Sequence, residues 1–187
     1  MPLPLQTARL ILRPFQDNDL EPFIAYRSDP LVARYQGWEA PYPRLKAIDF
    51  IDEMKTKQPG RKGEWYQIIA ALKSSGEVIG DVAFHVLSED VLQAEIAFTL
   101  VRSFWGNGYA TEAVSRLLDY LFNELQLHRV RAICDAENLA SAHVLERLGM
   151  RREGVFLENV WFKRNWGSEY LYAILNREWL KHSYPMD

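Results

Sequence analysis

Residues 95–125 read EIAFTLVRSFWGNGYATEAVSRLLDYLFNEL, and their periodicity changes once along the way. From Glu95 to Val101 the side chains alternate as in a strand, with Glu95, Ala97 and Thr99 on one face and Ile96, Phe98 and Leu100 on the other. From about Tyr109 to Leu125, Val114, Leu117, Leu118, Leu121 and Leu125 recur at helical spacing, and Glu112 near the start suits the positive end of the helix dipole. Between the two lies Trp105-Gly106-Asn107-Gly108-Tyr109-Ala110-Thr111. The first turn of a helix presents unpaired backbone N–H groups. Glycines at 106 and 108 permit positive φ and remove the Cβ atoms that would hold a diphosphate away from those groups. A tight turn that merely bends the chain is the competing reading. The segment is neither a Walker loop, which needs GK[ST] after a second glycine, nor GxGxxG, which would need glycine at Thr111.

A second strand-to-helix corner follows. Arg129–Asp135 (RVRAICD) alternates as a short strand, and Asn138 opens a helix with Ala142, Leu145 and Leu148 inward and Gly149 as its stop. Asn138 and Ser141, three residues apart, share one helical face and can address one ligand, although helix capping is the plainer account of the pair. In a mixed sheet two such corners can face one cleft at the carboxyl ends of the strands.

Upstream, RLILRPF (9–15) reads as a half-buried strand, followed by a helix capped by Asp17 or Asp19 and bearing Leu20, Phe23, Ile24 and Tyr26. QGWEAPYP (36–43) is a loop carrying Trp38 and Tyr42, and a helix spans about Leu45 to Lys57. Tyr66–Leu72 and Val78–Val86 form an antiparallel hairpin around KSSGE. Downstream, strands Gly154–Phe162 and Glu169–Leu175 are joined by KRNWGS, and a short amphipathic segment covers Arg177–His182. The alternation of elements predicts one α/β (α+β) domain over residues 1–187, with its core at about 7–176.

Composition narrows the function classes. The 187 residues are 48% hydrophobic and 13% aromatic, enough to offset the entropy of ordering one core. A net charge of -3 gives no basic surplus of the kind nucleic-acid or anionic-membrane binders show, although a local basic face is compatible with it. No window approaches the roughly 20 apolar residues of a membrane helix. A single cysteine, Cys134, and a start without a signal-peptide pattern place the protein in the cytoplasm.

Taken together, Thr7-Ala-Arg-Leu-Ile-Leu-Arg13, Ile79-Gly80-Asp81, WGNGYATEA (105–113), Asn138-Leu-Ala-Ser141 and LERLGM (145–150) follow one another as in a known family. The chain resembles the GNAT superfamily of acyl-CoA-dependent N-acetyltransferases, and within it the RimJ/RimL branch named for enzymes acting on ribosomal-protein N-termini. The matches cover almost the entire chain. The resemblance implies a mostly antiparallel mixed sheet of about six or seven strands with helices on both faces. It also implies a splayed parallel strand pair that holds acetyl-CoA. Backbone groups of Phe98 and Leu100 would pair with the pantetheine arm, Trp105, Gly106, Asn107, Gly108, Tyr109, Ala110 and Thr111 would surround the diphosphate, and Asn138 with Ser141 would contact the thioester end. An amine, either a small molecule or a protein N-terminus, would attack the thioester directly, with a backbone N–H of the 98–100 strand stabilising the oxyanion. Related enzymes often pair, so a homodimer is compatible with the resemblance.

Only a neutral amine attacks, so an ammonium substrate needs a base. Glu95, at the start of the strand beside the cleft, is the first candidate, with a solvated surface carboxylate as the alternative. Asp81 is the reserve, its alternative being a solvated place on the hairpin surface. Where many family members carry Gln or Arg three residues before the first turn glycine, this chain has Ser103; where many carry a tyrosine acid, it has Leu145. Ser141 is then the proton donor to the leaving thiolate, in competition with water. Two further functions compete with acetyl transfer: a non-catalytic acyl-CoA-binding module, and an acyltransferase taking a longer acyl-CoA. His85, His128, His143 and His182 lack metal-ligand spacing, and no metal is expected. Cys134 reads as a small core residue, with a nucleophile paired to His143 as the alternative. No GxSxG elbow is present. Trp38, Tyr42 and Trp166 either line an acceptor pocket or pack against the sheet.

Overall fold

The computed structural model describes residues 3–183, with the side chains of His182 and Ser183 outside the described atoms, as are Met1, Pro2 and residues 184–187. Alternating apolar residues build eight strands: β1 (Leu5–Gln6), β2 (Leu10–Arg13), β3 (Trp65–Leu72), β4 (Val78–Val86), β5 (Gln93–Leu100), β6 (Arg129–Asp135), β7 (Arg151–Phe162) and β8 (Asn165–Leu175). They form one sheet in the order β1-β2-β3-β4-β5-β6-β8-β7. Every neighbouring pair is antiparallel except β5 and β6.

Helices cover both faces because both faces are apolar. On one face, α4 (Tyr109–Asp119), a π-turn at Tyr120–Glu124 and α5 (Leu139–Arg147) bury Val114, Leu117, Leu121 and Leu145 against Leu12, Ile68, Phe84 and Val130. Trp179 of α6 (Asn176–Ser183) joins this core, its indole N–H donating to Asp119 at 2.9 Å. On the other face, α1 (Leu20–Arg27) and α3 (Arg44–Thr56) bury Phe23, Tyr26, Ile51 and Met54 against Ile69 and Val78. Four of the aromatic rings interlock there, with Phe23 edge-on to Phe15, Tyr26 and Tyr42 at 5.4–5.7 Å. No described helix is long and apolar enough to cross a membrane.

Several expectations are corrected. The sheet has eight strands rather than six or seven, because Leu5 and Gln6 pair with Leu12 and Ile11 despite the prolines that precede them in the sequence. Neither Asp17 nor Asp19 caps α1 through its side chain: they form a 3-10 turn, and Arg13 holds the Asp19 carboxylate with two bonds of 2.7 Å. The expected loop KRNWGS contracts to a two-residue turn, Lys163-Arg164, since Asn165 pairs with Phe162 and Gly167 with Val160. A four-residue helix, α2 (Pro30–Ala33), stands where no helix was predicted, started by the Asp29 carboxylate accepting from the Leu31 N–H at 2.9 Å.

A bulge in β4 sets the line of its neighbour. The register against β3 slips between Ala70 and Ala71, leaving Ile79 unpaired, and Gly80 takes φ +149. A Cβ on Gly80 would lie 2.1 Å from the Thr99 carbonyl oxygen, so only glycine lets β4 approach β5 here. Gly80→Ala is expected to cost about 3 kcal/mol and to lower the melting temperature by roughly 10 °C. Differential scanning calorimetry measures this, and an unchanged transition would refute the close-approach argument.

Candidate active site

The parallel partners β5 and β6 stay together for three residues only: Gln93 beside Arg129, Ala94 beside Val130 and Glu95 beside Arg131. Beyond Glu95 they part. Each is held on its outer side, β5 by β4 from Ala94 to Leu100 and β6 by β8 from Arg129 to Asp135. The Val101 N–H donates to the Ile79 carbonyl at 2.9 Å on the β4 side. By the alternation of the strand, main-chain groups of Phe98 and Leu100 therefore face the gap. The Leu100 carbonyl accepts the Trp105 indole N–H there at 2.8 Å.

β5 runs through a 3-10 turn, Arg102–Phe104, into the glycine corner. Gly106 and Gly108 take φ +77 and +78, left-handed values that residues with a Cβ rarely adopt. Gly108 is the N-cap of α4 and has no side chain to bond the first-turn N–H groups. Nothing lies within 4 Å of a Cβ built on Gly106, and only Arg9 Nη2, at 3.6 Å, approaches one on Gly108. The corner therefore offers bare amides, a positive helix end and open space, which fits a diphosphate.

Arg9 braces this corner. Its Nη1 donates to the Asn107 carbonyl at 3.1 Å, its Nε to Glu112 at 2.6 Å, and its guanidinium lies 4.1 Å over the Tyr109 ring. Burial pushes the Glu112 carboxyl up, but hydrogen bonds from Thr7 and Arg9 outweigh it and hold the group below its ordinary value.

A cleft of about 390 Å³ opens between the two corners. It is lined by Phe98, Leu100, Trp105, Gly106, Gly108, Tyr109, Ala110, Thr111, Asn138 and Ser141, all of them candidates from sequence. Asn107 is not on the lining; its side chain turns back to the Trp105 carbonyl at 2.9 Å. The Asn138 side chain caps α5 by accepting from the Ser141 N–H at 3.2 Å, so capping and a place on the cleft wall coexist. Glu95 sits at the apex of the splay, off the cleft lining, with its carboxylate 3.0 Å from Arg131 Nε.

Asp81 is not on a hairpin surface: it is 2% exposed in the middle of β4, opposite Thr99. Its carboxylate accepts from the Tyr26 hydroxyl and from Gln67 Nε2 at 2.6 Å, with Arg27 Nη2 at 4.0 Å. Burial raises this carboxyl above the usual aspartate range against the pull of Arg27 and the two hydrogen bonds. Burial, and next the Asp135 charge, push the Cys134 thiol up to about 11, so it is a protonated thiol at neutral pH and no nucleophile. Leu145 is buried in the core. Among the described residues no three His, Cys, Asp or Glu side chains group as metal ligands. His85 stacks on Trp65 at 5.3 Å and His143 lines the cleft. The His182 side chain lies outside the described residues.

The wall opposite β5 comes from residues to which the sequence reading assigns no role in the site. Leu31, Val32, Arg34, Tyr35 and Gln36, from α2 and its exit, line the cleft. The Asp29-Pro30 pair is the local signal for them, an N-cap followed by proline at the first helical position.

A family model described as the acetyltransferase (GNAT) domain matches residues 9–151. The uncharacterized N-acetyltransferase YnaD of Bacillus subtilis (strain 168) is 33% identical over 175 residues, 94% of this chain and 98% of the relative. The spermidine N(1)-acetyltransferase of Escherichia coli (strain K12) is 25% identical over 176 residues, 93% and 90% of the two chains. A GNAT-family acetyltransferase structure from Bacillus anthracis superposes with a TM-score of 0.83 at 31% identity, over 94% of this chain and all of that one.

Because Glu112 is held below its ordinary value of 4.5, the folded state binds fewer protons there than the unfolded chain. Its contribution to stability is full above 4.5 and is lost as pH falls through the lowered folded value. In Glu112→Gln that part of the acid dependence disappears, and at pH 7 the variant melts a few degrees lower. Thermal unfolding of both proteins from pH 7 down to pH 3 tests this; parallel pH curves would contradict it.

Proposed function

Since the chain belongs to the GNAT acetyltransferase family, it transfers an acetyl group from acetyl-CoA to an amine, and we propose that transfer occurs in the cleft between β5 and β6 by direct attack with both substrates bound. The observation that carries this reading is the register of the parallel pair, which ends at Glu95 and Arg131 and leaves the free edge of β5 leading to the glycine corner. In the proposal, Gly106 to Thr111 hold the diphosphate, and the edge of β5 at Phe98 and Leu100 takes the pantetheine arm as an added strand. Asn138 and Ser141 address the thioester end. When bound, acetyl-CoA supplies an electrophilic carbonyl and a thiolate leaving group.

The rest of the chemistry falls to the chain. A gap-facing N–H of the 98–100 segment donates to the oxyanion that develops at the carbonyl. Glu95 accepts the ammonium proton through water, since Arg131 holds its carboxylate off the cleft wall. Ser141 donates to the departing sulfur. Asp81 is the weaker candidate for the base, because it is buried and lines neither β5's gap nor the cleft. The wall of α2 lines the same cleft as Phe98 and Leu100.

The acceptor is a primary amine, on a small molecule or at a protein N-terminus. The RimJ/RimL branch rests on the sequence motifs. A homodimer is supported by Val155, Phe156, Leu157 and Trp161, which the outer strand β7 leaves exposed at the sheet edge; sedimentation at micromolar concentration tests it, and a monomer there overturns it.

Free-thiol release from acetyl-CoA with a panel of amines tests the transferase reading. Glu95→Gln is expected to lower kcat by about 100-fold or more. Ser141→Ala is expected to lower kcat roughly tenfold, while acetyl-CoA affinity by calorimetry stays level in Glu95→Gln and falls by less than kcat in Ser141→Ala. A wild type that binds acetyl-CoA by calorimetry and releases no thiol with any amine of the panel would support a binding module instead. Faster turnover of a longer thioester would support the longer-chain acyltransferase.

A further inference from the structure

The turn between β7 and β8 is built against local preference. Two-residue hairpin turns of this kind need positive φ at both positions and favour Asn-Gly or Asp-Gly. Here the positions are Lys163 and Arg164, at φ +47 and +68, each a left-handed conformation costly for a side chain with a long stem. Local strain of this kind persists only where surrounding contacts hold it. Two hydrogen bonds hold it: the Lys163 ammonium donates to the Ala33 carbonyl at 2.6 Å and to the Trp38 carbonyl at 2.9 Å. Ala33 ends α2, and Trp38 lies in the loop that follows it.

We infer that Lys163 is a positioning residue for the acceptor side of the reaction, acting through the strap of residues 30–43 that forms the wall opposite β5. The inference rests on the proposed transferase reading for what the wall does, and on the hydrogen bonds alone for what holds it. An ammonium bonded to two main-chain carbonyls fixes the backbone on both sides of the exit from α2. The cleft-lining residues Arg34, Tyr35 and Gln36 lie between those two fixed points. Releasing them widens the passage by which an amine meets the thioester, while the start of α2 stays tied to the turn before the glycine corner, where Arg102 Nε donates to the Asp29 carboxylate at 2.7 Å.

Lys163→Asn separates this role from a structural one. Asparagine tolerates positive φ, so the turn loses strain while the ammonium is lost. The melting temperature is expected to stay level or rise. The KM for the amine is expected to rise about fivefold or more, with the KM for acetyl-CoA within about twofold of wild type. Lys163→Arg, which keeps a cationic donor, restores most of the amine KM. An unchanged amine KM in Lys163→Asn, or an equal rise in both KM values, overturns the inference. Should the wild type release thiol with no amine, the transferase reading fails instead, and hydrogen exchange decides the clasp by itself. Amides 33–43 exchanging faster in Lys163→Asn support it, and identical exchange overturns it.

Discussion

The site depends on two parallel strands that stop pairing. A strand edge left without partners is a cost in a protein interior, because each main-chain N–H and C=O wants a hydrogen bond. β5 and β6 bear that cost beyond Glu95 because each is fixed on its other side by a full antiparallel ladder. The two outer ladders set the opening of the gap, so it needs no ligand to prop it. Gly80 belongs to the same device, since β4 can follow β5 past Thr99 only without a Cβ at that point. The result is an edge between two fixed ladders, with main-chain groups at Phe98 facing the gap and the Leu100 carbonyl taken by the Trp105 indole.

Charge is arranged locally and against the sign of the whole chain. The protein carries -3 overall, yet the glycine corner combines a helix N-terminus with Arg9, and the opposite wall and α5 add Arg34 and Arg147. Glu112, the acid in the first turn of α4, is hydrogen-bonded by Thr7 and ion-paired with Arg9, so those two charges largely cancel and the helix N-terminus remains as the positive feature of the corner. Net charge does not describe the potential at one helix end.

The glycine corner and α4 are legible in the sequence because a strand period, two glycines and a helical apolar repeat occur without interruption. The strap is not. Four residues of α2 are too few to show a period, so only the Asp29-Pro30 start signal remains. The β7–β8 turn misleads for the opposite reason: Asn165, Gly167 and Ser168 look like a loop, but the chain reverses two residues earlier, where tertiary bonds to Lys163 replace local turn preference. Asp81 reads as exposed because an aspartate among apolar residues usually is; its partners Tyr26 and Arg27 arrive from a helix more than fifty residues away in sequence, beyond what local pattern carries.

That buried cluster determines which part of the wall can move. The Arg27 guanidinium lies between Phe23 and Trp38, at 4.1 and 4.0 Å from the ring centres, and close to the Asp81 carboxylate. Its Nε has no hydrogen-bond partner, so the stacking and the nearby carboxylate together offset the burial of the charge. Trp38 is held twice over, because its indole N–H also donates to the Arg27 carbonyl at 3.0 Å. Removing either charge would leave the other buried alone, which locks α1, β4 and the rear of the strap into one unit. The front of the strap is held differently. Arg34 meets Glu137 at 3.6 Å with both side chains more than half exposed, and the Tyr35 hydroxyl reaches the Glu137 carbonyl at 3.4 Å. Exposed contacts of that length contribute little. The contacts between the wall and the corner before α5 are therefore its weakest, and its firmest hold is at the rear, where Trp38 meets Arg27.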